Sequence, residues 1–303
     1  MNSPQDIFDR ARVRRNFGSA AERYAGHSAV QREIESRLLE SLDHYAMKYG
    51  ADARPTRILD VGSGPATAAH ALRTWAPKAD IFAVDAALPM LKAAEANTRG
   101  HWLRRRAVER VCADLRNLPF ADGSIDMLFS NLALQWVEDL PAAFAEFRRV
   151  LAPKGLLLIS TFGEQTLVEL REAFAAADEV PHVSPFTAIA PFGDALMAAG
   201  FAEPVLDRDV LFEYQPDLRG VMLSLKAIGA TNALHARRHS LSGKSRFQRA
   251  DAAHPRAADG QLPVRWEAIY AQAWAPEPGT PMRDALGEIA AVPVDRIPIR
   301  RRR

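Results

Sequence analysis

The sequence predicts an α/β fold, an open, seven-stranded and mostly parallel sheet with helices on both faces. Three observations predict it. Five short apolar runs, RILDV, DIFAVD, RVCAD, IDMLFSN and GLLLIST, lie between residues 57 and 161, each of strand length and bounded by turn residues. Helical periods over 65–76, 87–98 and 139–151 separate them, and strand alternating with helix implies right-handed crossovers and a parallel sheet covered on both sides. Two later runs, VLDRDVLFEY and WEAIYAQAWA, complete the seven.

Taken in order, residues 7–48 read as one or two helices with Phe17, Tyr24 and Leu38 among their larger apolar positions. They predict an N-terminal helical cover over 1–50. The helix at 139–151 is the clearest: Leu140, Ala143, Phe144, Phe147, Val150 and Leu151 form one stripe, Asp139 stands at the cap and Pro141 in the first turn. APKG then stops it. PFGDALMAAGF reads as a helix and 217–239 as another helical region, whereas SGKSRFQRADAAHPRAADGQLP, rich in Gly, Pro and charge, reads as an exposed loop. The main domain is therefore expected over 51–276, with a helix-and-loop insertion at 217–262, and 277–303 as a flexible basic tail.

A chain of 303 residues with 48% apolar composition can bury a large core. The one cysteine, Cys112, excludes an internal disulfide and a multi-cysteine zinc site, reads as a small core residue, and suits a reducing, cytoplasmic setting. No run approaches the roughly 18 apolar residues of a membrane span, and the first residues are charged where a signal peptide is apolar. The net charge of +2 is local in origin: without Arg300 to Arg303, 35 basic residues face 37 acidic ones. His235 and His239 share a helical face, but no third ligand accompanies them, so they read as a surface pair and no metal is expected.

Ligands of open parallel sheets bind at the carboxyl ends of the strands. That places ILDVGSGPA at the site, with Gly62 and Gly64 allowing a sharp turn and close backbone approach. A dinucleotide loop would carry a third glycine and would present N–H groups to a diphosphate, yet here Asp60 precedes GSGPAT. A carboxylate there repels phosphate and suits an ammonium group, as in the methionine half of S-adenosylmethionine. Asp85 ends the second strand 25 positions after Asp60, and its two oxygens suit two ribose hydroxyls. Taken singly, Asp85 or Asp114 reads equally as a turn acid; their order and spacing together favour a shared cofactor site.

ILDVGSGPA resembles the first motif of the class I S-adenosylmethionine-dependent methyltransferases, a Rossmann-like fold, and FAVDAALPML, CADLRNLPF, FSNLALQWVED and RVLAPKGLLLIS fall where that family has its later ones. The resemblance implies cofactor-binding roles for Asp60, Gly62, Gly64, Asp85, Asp114, Leu115 and Asn131, with Asp114 accepting from the adenine amino group. Methyl transfer from a sulfonium needs alignment and exclusion of water, and a base only for a protonated acceptor. SNLALQW replaces the NPPY-like motif of amino-group methylation, so nucleic acid is not the expected partner. Gln135 and Trp136 read either as packing or as lining of the acceptor cavity.

The flanks narrow the acceptor. RARVRRNFGSAAERYAGHSAVQREI resembles the N-terminal segment of the biotin-pathway methyltransferases that esterify malonyl-acyl carrier protein, with Phe17, Ala21, Tyr24 and Gln31 at matching places. LKAIGATNALHARRHSLSGKSRF and LPVRWEAIYAQAW resemble that family's insertion and last strand. The resemblance implies methyl transfer to the free carboxylate of malonyl-acyl carrier protein or malonyl-CoA, giving a neutral ester for fatty-acid elongation toward pimelate. A carboxylic acid of pKa about 4 is already nucleophilic at neutral pH. Tyr24 is expected to act as a lid whose hydroxyl orients the acceptor, the alternative being a core tyrosine. Arg148, Arg149, Arg237 and Arg238 are the expected contacts for an acidic carrier. Two other readings keep the fold: a methyltransferase of quinone precursors or other small molecules, and a non-methylating assembly factor or protein-arginine hydroxylase.

Overall fold

The computed structural model describes residues 7–99, 106–238, 243–277, 280, 282–284 and 287–289. Its main sheet contains β1 (Arg57–Val61), β2 (Asp80–Asp85), β3 (Glu109–Cys112), β4 (Ile125–Asn131), β5 (Leu151–Phe162), β6 (Ala202–Gln215) and β7 (Leu262–Trp274). The order across the sheet is β3-β2-β1-β4-β5-β7-β6. Neighbours from β3 to β5 are parallel, and β7 runs antiparallel to both β5 and β6. Chain progression reverses between β1 and β4, so the carboxyl ends of these two strands flank the switch point at which such sheets bind ligands.

Helices α1 (Arg10–His27), α2 (Ala29–Glu40) and α3 (Asp43–Tyr49) precede the sheet. Helix α4 (Ala69–Trp75) follows β1, α5 (Leu88–Ala93) and α6 (Glu95–Thr98) follow β2, and α7 (Leu140–Val150) joins β4 to β5. Beyond β5 come α8 (Val168–Ala175) and α9 (Ile189–Ala198), then α10 (Leu218–Ala227) and α11 (Lys244–Ala253) between β6 and β7. The strands read as continuous apolar runs because both faces are covered. Leu59, Leu157 and Ile159 pack with Phe144 and Phe147 of α7 and Phe192 of α9, whereas Ile58, Leu156 and Leu158 pack with Leu72 of α4 and Leu38 of α2. Asp139 caps α7 as its sequence predicts, accepting from the Ala142 N–H at 3.0 Å.

Several expectations change. The predicted loop before β7 contains α11, whose buried Ala250 and half-buried Phe247 join the cluster that holds Leu170 and Phe174 of α8. Helix α10 stops at Ala227, because the following chain returns to the start of α1: Asp9 N donates to Ala233 O at 2.8 Å and His235 N to Ile7 O at 2.9 Å. Cys112 is exposed, not a core residue, since β3 is an edge strand with a partner only in β2. Within the predicted tail, β8 (Met282–Asp284) and β9 (Gly287–Ile289) form an antiparallel pair. His239 and residues 290–303, with Arg300 to Arg303, lie outside the described residues. Among the described residues no helix is long and apolar enough to cross a membrane.

Candidate active site

The site begins where β1 ends. Gly62 and Gly64 take φ of +70° and +53°, a region open to glycine at no steric cost. A Cβ on Gly62 would lie 2.3 Å from the Cβ of Ala133, whereas around Gly64 there is open space. The first glycine therefore permits close approach of the loop after β4, and the second serves the turn alone. Asp85 secures this corner from the end of β2: Gly64 N donates to its Oδ2 at 2.9 Å and Ala87 N to its Oδ1 at 2.7 Å. Each oxygen keeps a lone pair for a further donor.

Behind the corner lies a small polar space of about 360 Å³, bordered by Asp60, Glu35, Thr67, Arg32, Gln31 and Asn131 among others. Asp60 is only 3% exposed and accepts no hydrogen bond from the described residues. Burial pushes its carboxyl well above the usual range, and the charges of Glu35 and Asp85 add to the rise. Burial also raises Glu35 and Asp85, against hydrogen bonds from Thr67 and from the Ala87 and Gly64 backbone respectively. Thr67 Oγ1 donates to Glu35 at 2.5 Å. The buried Asp60 and the part-buried Glu35 and Asp85, with Arg32 as the one cationic neighbour among the described residues, make a pocket that favours an ammonium group and rejects phosphate.

This space opens to a cleft of about 940 Å³ lined by Val61, Asp85, Met90, Asp114, Leu115 and Trp136, with Asn131 at the boundary. Asn131 is fixed on both sides, its Nδ2 donating to Gln31 O at 3.1 Å and its Oδ1 accepting from Ser160 Oγ at 2.6 Å. Asp114 carries an arginine: its Oδ1 accepts from Arg116 Nε at 2.8 Å and its Oδ2 from Arg116 Nη2. That pairing holds its carboxyl below the ordinary value.

A second cavity, of about 1000 Å³, lies beyond Tyr24. Its walls are Phe162, Leu170, Phe174, Phe186, Leu225 and Trp266 with their neighbours, and among the described residues no Lys or Arg borders it. The two large spaces share Phe17, Tyr24, Leu132 and Trp136, and Tyr24 borders the small polar space too. Burial, with the charges of Glu35 and Asp85, raises the Tyr24 hydroxyl above its ordinary pKa, so it is a donor rather than a base. The Trp136 indole N–H is buried without a partner, and its ring stands edge-on to Phe8 and Phe17 at centroid distances of 5.7 and 5.4 Å. Gln135 donates to Leu132 O at 2.6 Å and leaves its Oε1 unpartnered.

The structure brings Asp60, Gly62, Gly64, Asp85, Asp114, Leu115, Asn131, Tyr24, Gln135 and Trp136 around these connected spaces. It does not bring the predicted arginines there as free charges. Arg149 spends all five N–H groups at home: Nε donates to Glu146, Nη1 to Phe120 O and Asp122, Nη2 to Leu118 O and Glu146. Arg148, in the same last turn of α7, donates to Ala199 O at 3.2 Å. Both sit where α7 leads into the amino end of β5, away from the switch point. Arg238 forks onto Asp178 at 2.7 and 3.2 Å, and Arg237 reaches Leu234 O at 2.8 Å and Asp9 at 3.5 Å. Sequence reasoning missed Glu35 and gave Gln31 no role. Both lie on the buried side of α2 and show only as polar residues within an amphipathic stripe.

Residues 59–159 match a family model described as a methyltransferase domain, and this defines the class. In fold, the chain is similar to the YcgJ protein of Bacillus subtilis, with a TM-score of 0.55 and 18% identity over 80% of this chain and 99% of that one. A phosphoethanolamine N-methyltransferase 2 of Haemonchus contortus in complex with S-adenosyl-L-methionine aligns with a TM-score of 0.50 and 18% identity, over 80% of this chain and 53% of that one. A malonyl-[acyl-carrier protein] O-methyltransferase of Xylella fastidiosa is 50% identical over 298 residues, 98% of each chain. One from Gallionella capsiferriformans is 40% identical over 278 residues, 90% of this chain and 93% of the other. The chain belongs to the malonyl-[acyl-carrier protein] O-methyltransferase family.

Proposed function

We propose that this protein transfers a methyl group from S-adenosylmethionine to the free carboxylate of a malonyl thioester on acyl carrier protein. The observation that carries the proposal is the meeting, at Tyr24, of an anionic pocket beside the glycine corner with an apolar cavity bordered by no Lys or Arg among the described residues. When bound, S-adenosylmethionine supplies an electrophilic methyl on a sulfonium. Asp60 and Glu35 would hold its ammonium group, Asp85 its ribose hydroxyls, and Asp114 and Leu115 would border its base. Asp60 fits this use well, because a buried carboxylate without a partner is costly until a cation arrives.

The acceptor carboxylate needs no base at neutral pH, its pKa being about 4. It needs donors that do not neutralise it. Gln31, 6% exposed, makes no side-chain hydrogen bond to the described residues and borders both the polar space and the second cavity. Its amide and the Tyr24 hydroxyl would hold the carboxylate by neutral hydrogen bonds, while Phe17, Leu132 and Trp136 keep water from the throat. Neutral donors leave the oxygen nucleophilic and keep no grip on the ester, which carries no charge. The thioester arm would lie along Phe162, Phe174, Phe186 and Leu225 in the second cavity.

The same proposal includes the pathway, with the methyl ester entering fatty-acid elongation toward pimelate for biotin, and a cytoplasmic setting, supported by a single free cysteine. Incubation with labelled S-adenosylmethionine and malonyl-acyl carrier protein should add the mass of one methyl group to the carrier. A carrier of unchanged mass, with label transferred to a quinone precursor or to nothing, overturns the reading.

A further inference from the structure

The arginine pairs that the sequence offers for a carrier protein are engaged internally, so the docking charge must come from elsewhere. Helix α10 forms part of the wall of the second cavity through Met222 and Leu225, with Ile228 just past its end. On its outer side Arg219, Met222, Leu223 and Lys226 are all exposed, Met222 by 39% and Leu223 by 50%. Their spacing of i, i+3, i+4 and i+7 puts them on one stripe. The order along that stripe is cation, apolar, apolar, cation. Neither Arg219 nor Lys226 makes an ion pair or side-chain hydrogen bond with the described residues, in contrast to Arg148, Arg149, Arg237 and Arg238. Met222 and Leu223 stay exposed on a helix whose other face already buries Leu218, Val221 and Leu225, and neither belongs to the buried cluster which those three join.

We propose that this stripe of α10 is the docking surface for an acidic helix of the acyl carrier protein, an inference that rests on the function proposed above. Two features favour this occupant. The charge is complementary, with free cations at both ends of a short apolar contact; such flanking charges steer an acidic partner and fix its register, while the apolar centre supplies the desolvated contact. The surface is also continuous with the acceptor cavity, since Met222 belongs both to the stripe and to the cavity lining. A carrier helix seated there holds the root of its prosthetic arm at the mouth of the space that receives the thioester. The arm then enters past Met222, and no part of the carrier need approach the buried carboxylates.

The test is a pair of doubly charge-reversed proteins. In one, Arg219→Glu and Lys226→Glu alter the stripe; in the other, Arg57→Glu and Lys78→Glu alter exposed positions at the amino ends of β1 and β2. Fluorescence anisotropy with labelled malonyl-acyl carrier protein at low salt should show at least a tenfold rise in Kd for the α10 variant and less than a twofold change for the control. The KM for the carrier should follow, with kcat at saturating carrier within twofold of the parent, and Met222→Ala with Leu223→Asp should weaken binding at high salt as well, where screening has removed the steering term. Equal melting temperatures establish that both charge-reversed proteins fold. If the α10 variant binds the carrier as the parent does, or if the two variants lose affinity alike, the docking surface is wrong. A parent protein that transfers no methyl to the carrier refutes the function instead, and the two failures are thereby distinct.

Discussion

Two regions of this molecule carry charge in opposite ways. Around the ends of β1 and β2, Asp60 is buried and Glu35 and Asp85 are part-buried without a matching set of cations among the described residues, and all three carboxyls rise above their ordinary values. In α7 and just after α8, Glu146 and Asp178 are gripped by Arg149 and Arg238 and held below theirs. Desolvation dominates the first group, hydrogen bonding to guanidinium the second. A paired charge is complete and serves the scaffold, whereas an unpaired buried one is complete only with a ligand.

Replacing Asp85 with Ala tests the unpaired group most severely. It removes both the backbone clamp on Gly64 and the expected ribose acceptor, and should weaken S-adenosylhomocysteine binding by about 1.5–3 kcal/mol in a calorimetric titration. Unchanged affinity would place the nucleoside elsewhere. Gln31→Leu removes one neutral donor to an anionic acceptor, an effect of about 1.5 kcal/mol or roughly tenfold in KM for malonyl-carrier, while cofactor affinity stays put. A loss of cofactor affinity with no change in KM would move Gln31 out of the acceptor site.

Asp60→Asn separates stability from binding. It removes a buried charge that has no partner, so the ligand-free protein should gain about 1 kcal/mol in chemical denaturation while its affinity for S-adenosylhomocysteine falls. A destabilised variant would mean that Asp60 has a structural partner in solution. Asp178→Asn should do the reverse: the melting temperature falls as the Arg238 fork and the His182 contact are lost, and cofactor affinity is unchanged.

The smallest effect is on pH dependence. A carboxyl raised by burial favours the folded state as pH falls from its folded value toward its unfolded one, because the folded chain then binds the extra proton. A carboxyl lowered by arginine loses its contribution as pH falls through its folded value. Ligand-free protein should therefore gain from Asp60 and lose from Asp178 on acidification. As pH falls toward the raised pKa of Asp60, binding of an ammonium-bearing ligand should release a proton from its carboxyl and weaken. Calorimetry in buffers of differing ionisation enthalpy reads that proton, and its absence would show Asp60 to be ionised already.

Much of the fold was legible because parallel strands covered on both faces leave continuous apolar runs, as in LLLI and MLF, and because Asp139 and Pro141 mark a helix start by local chemistry. The glycine corner was legible for the same local reason. Helix α11 was not, since its sequence is polar and charged between Gly- and Pro-containing flanks, and its apolar ties to the α8 cluster come from just Ala250 and Phe247 among the described residues. The early end of α10 was equally hidden: residues 228–238 are drawn to Phe8 and Asp9, partners more than 200 positions away in the chain. Runs of arginine misled for a related reason, as sequence records charge but not whether a carboxylate or carbonyl stands opposite.

The sequence by itself determined the alternation of strand and helix, the turn at Gly62 and Gly64 and the acids that end the strands, since periodicity, backbone sterics and strand-end position all act over a few residues. Only the tertiary structure decided which charges are free. Glu35 and Gln31 come to the β1 corner from a separate helix, Arg149 and Arg238 find their acceptors across loops, and Arg219 and Lys226 find none among the described residues. Pairing is a property of distances through space, set by how the helices pack on the sheet, and no local pattern encodes it.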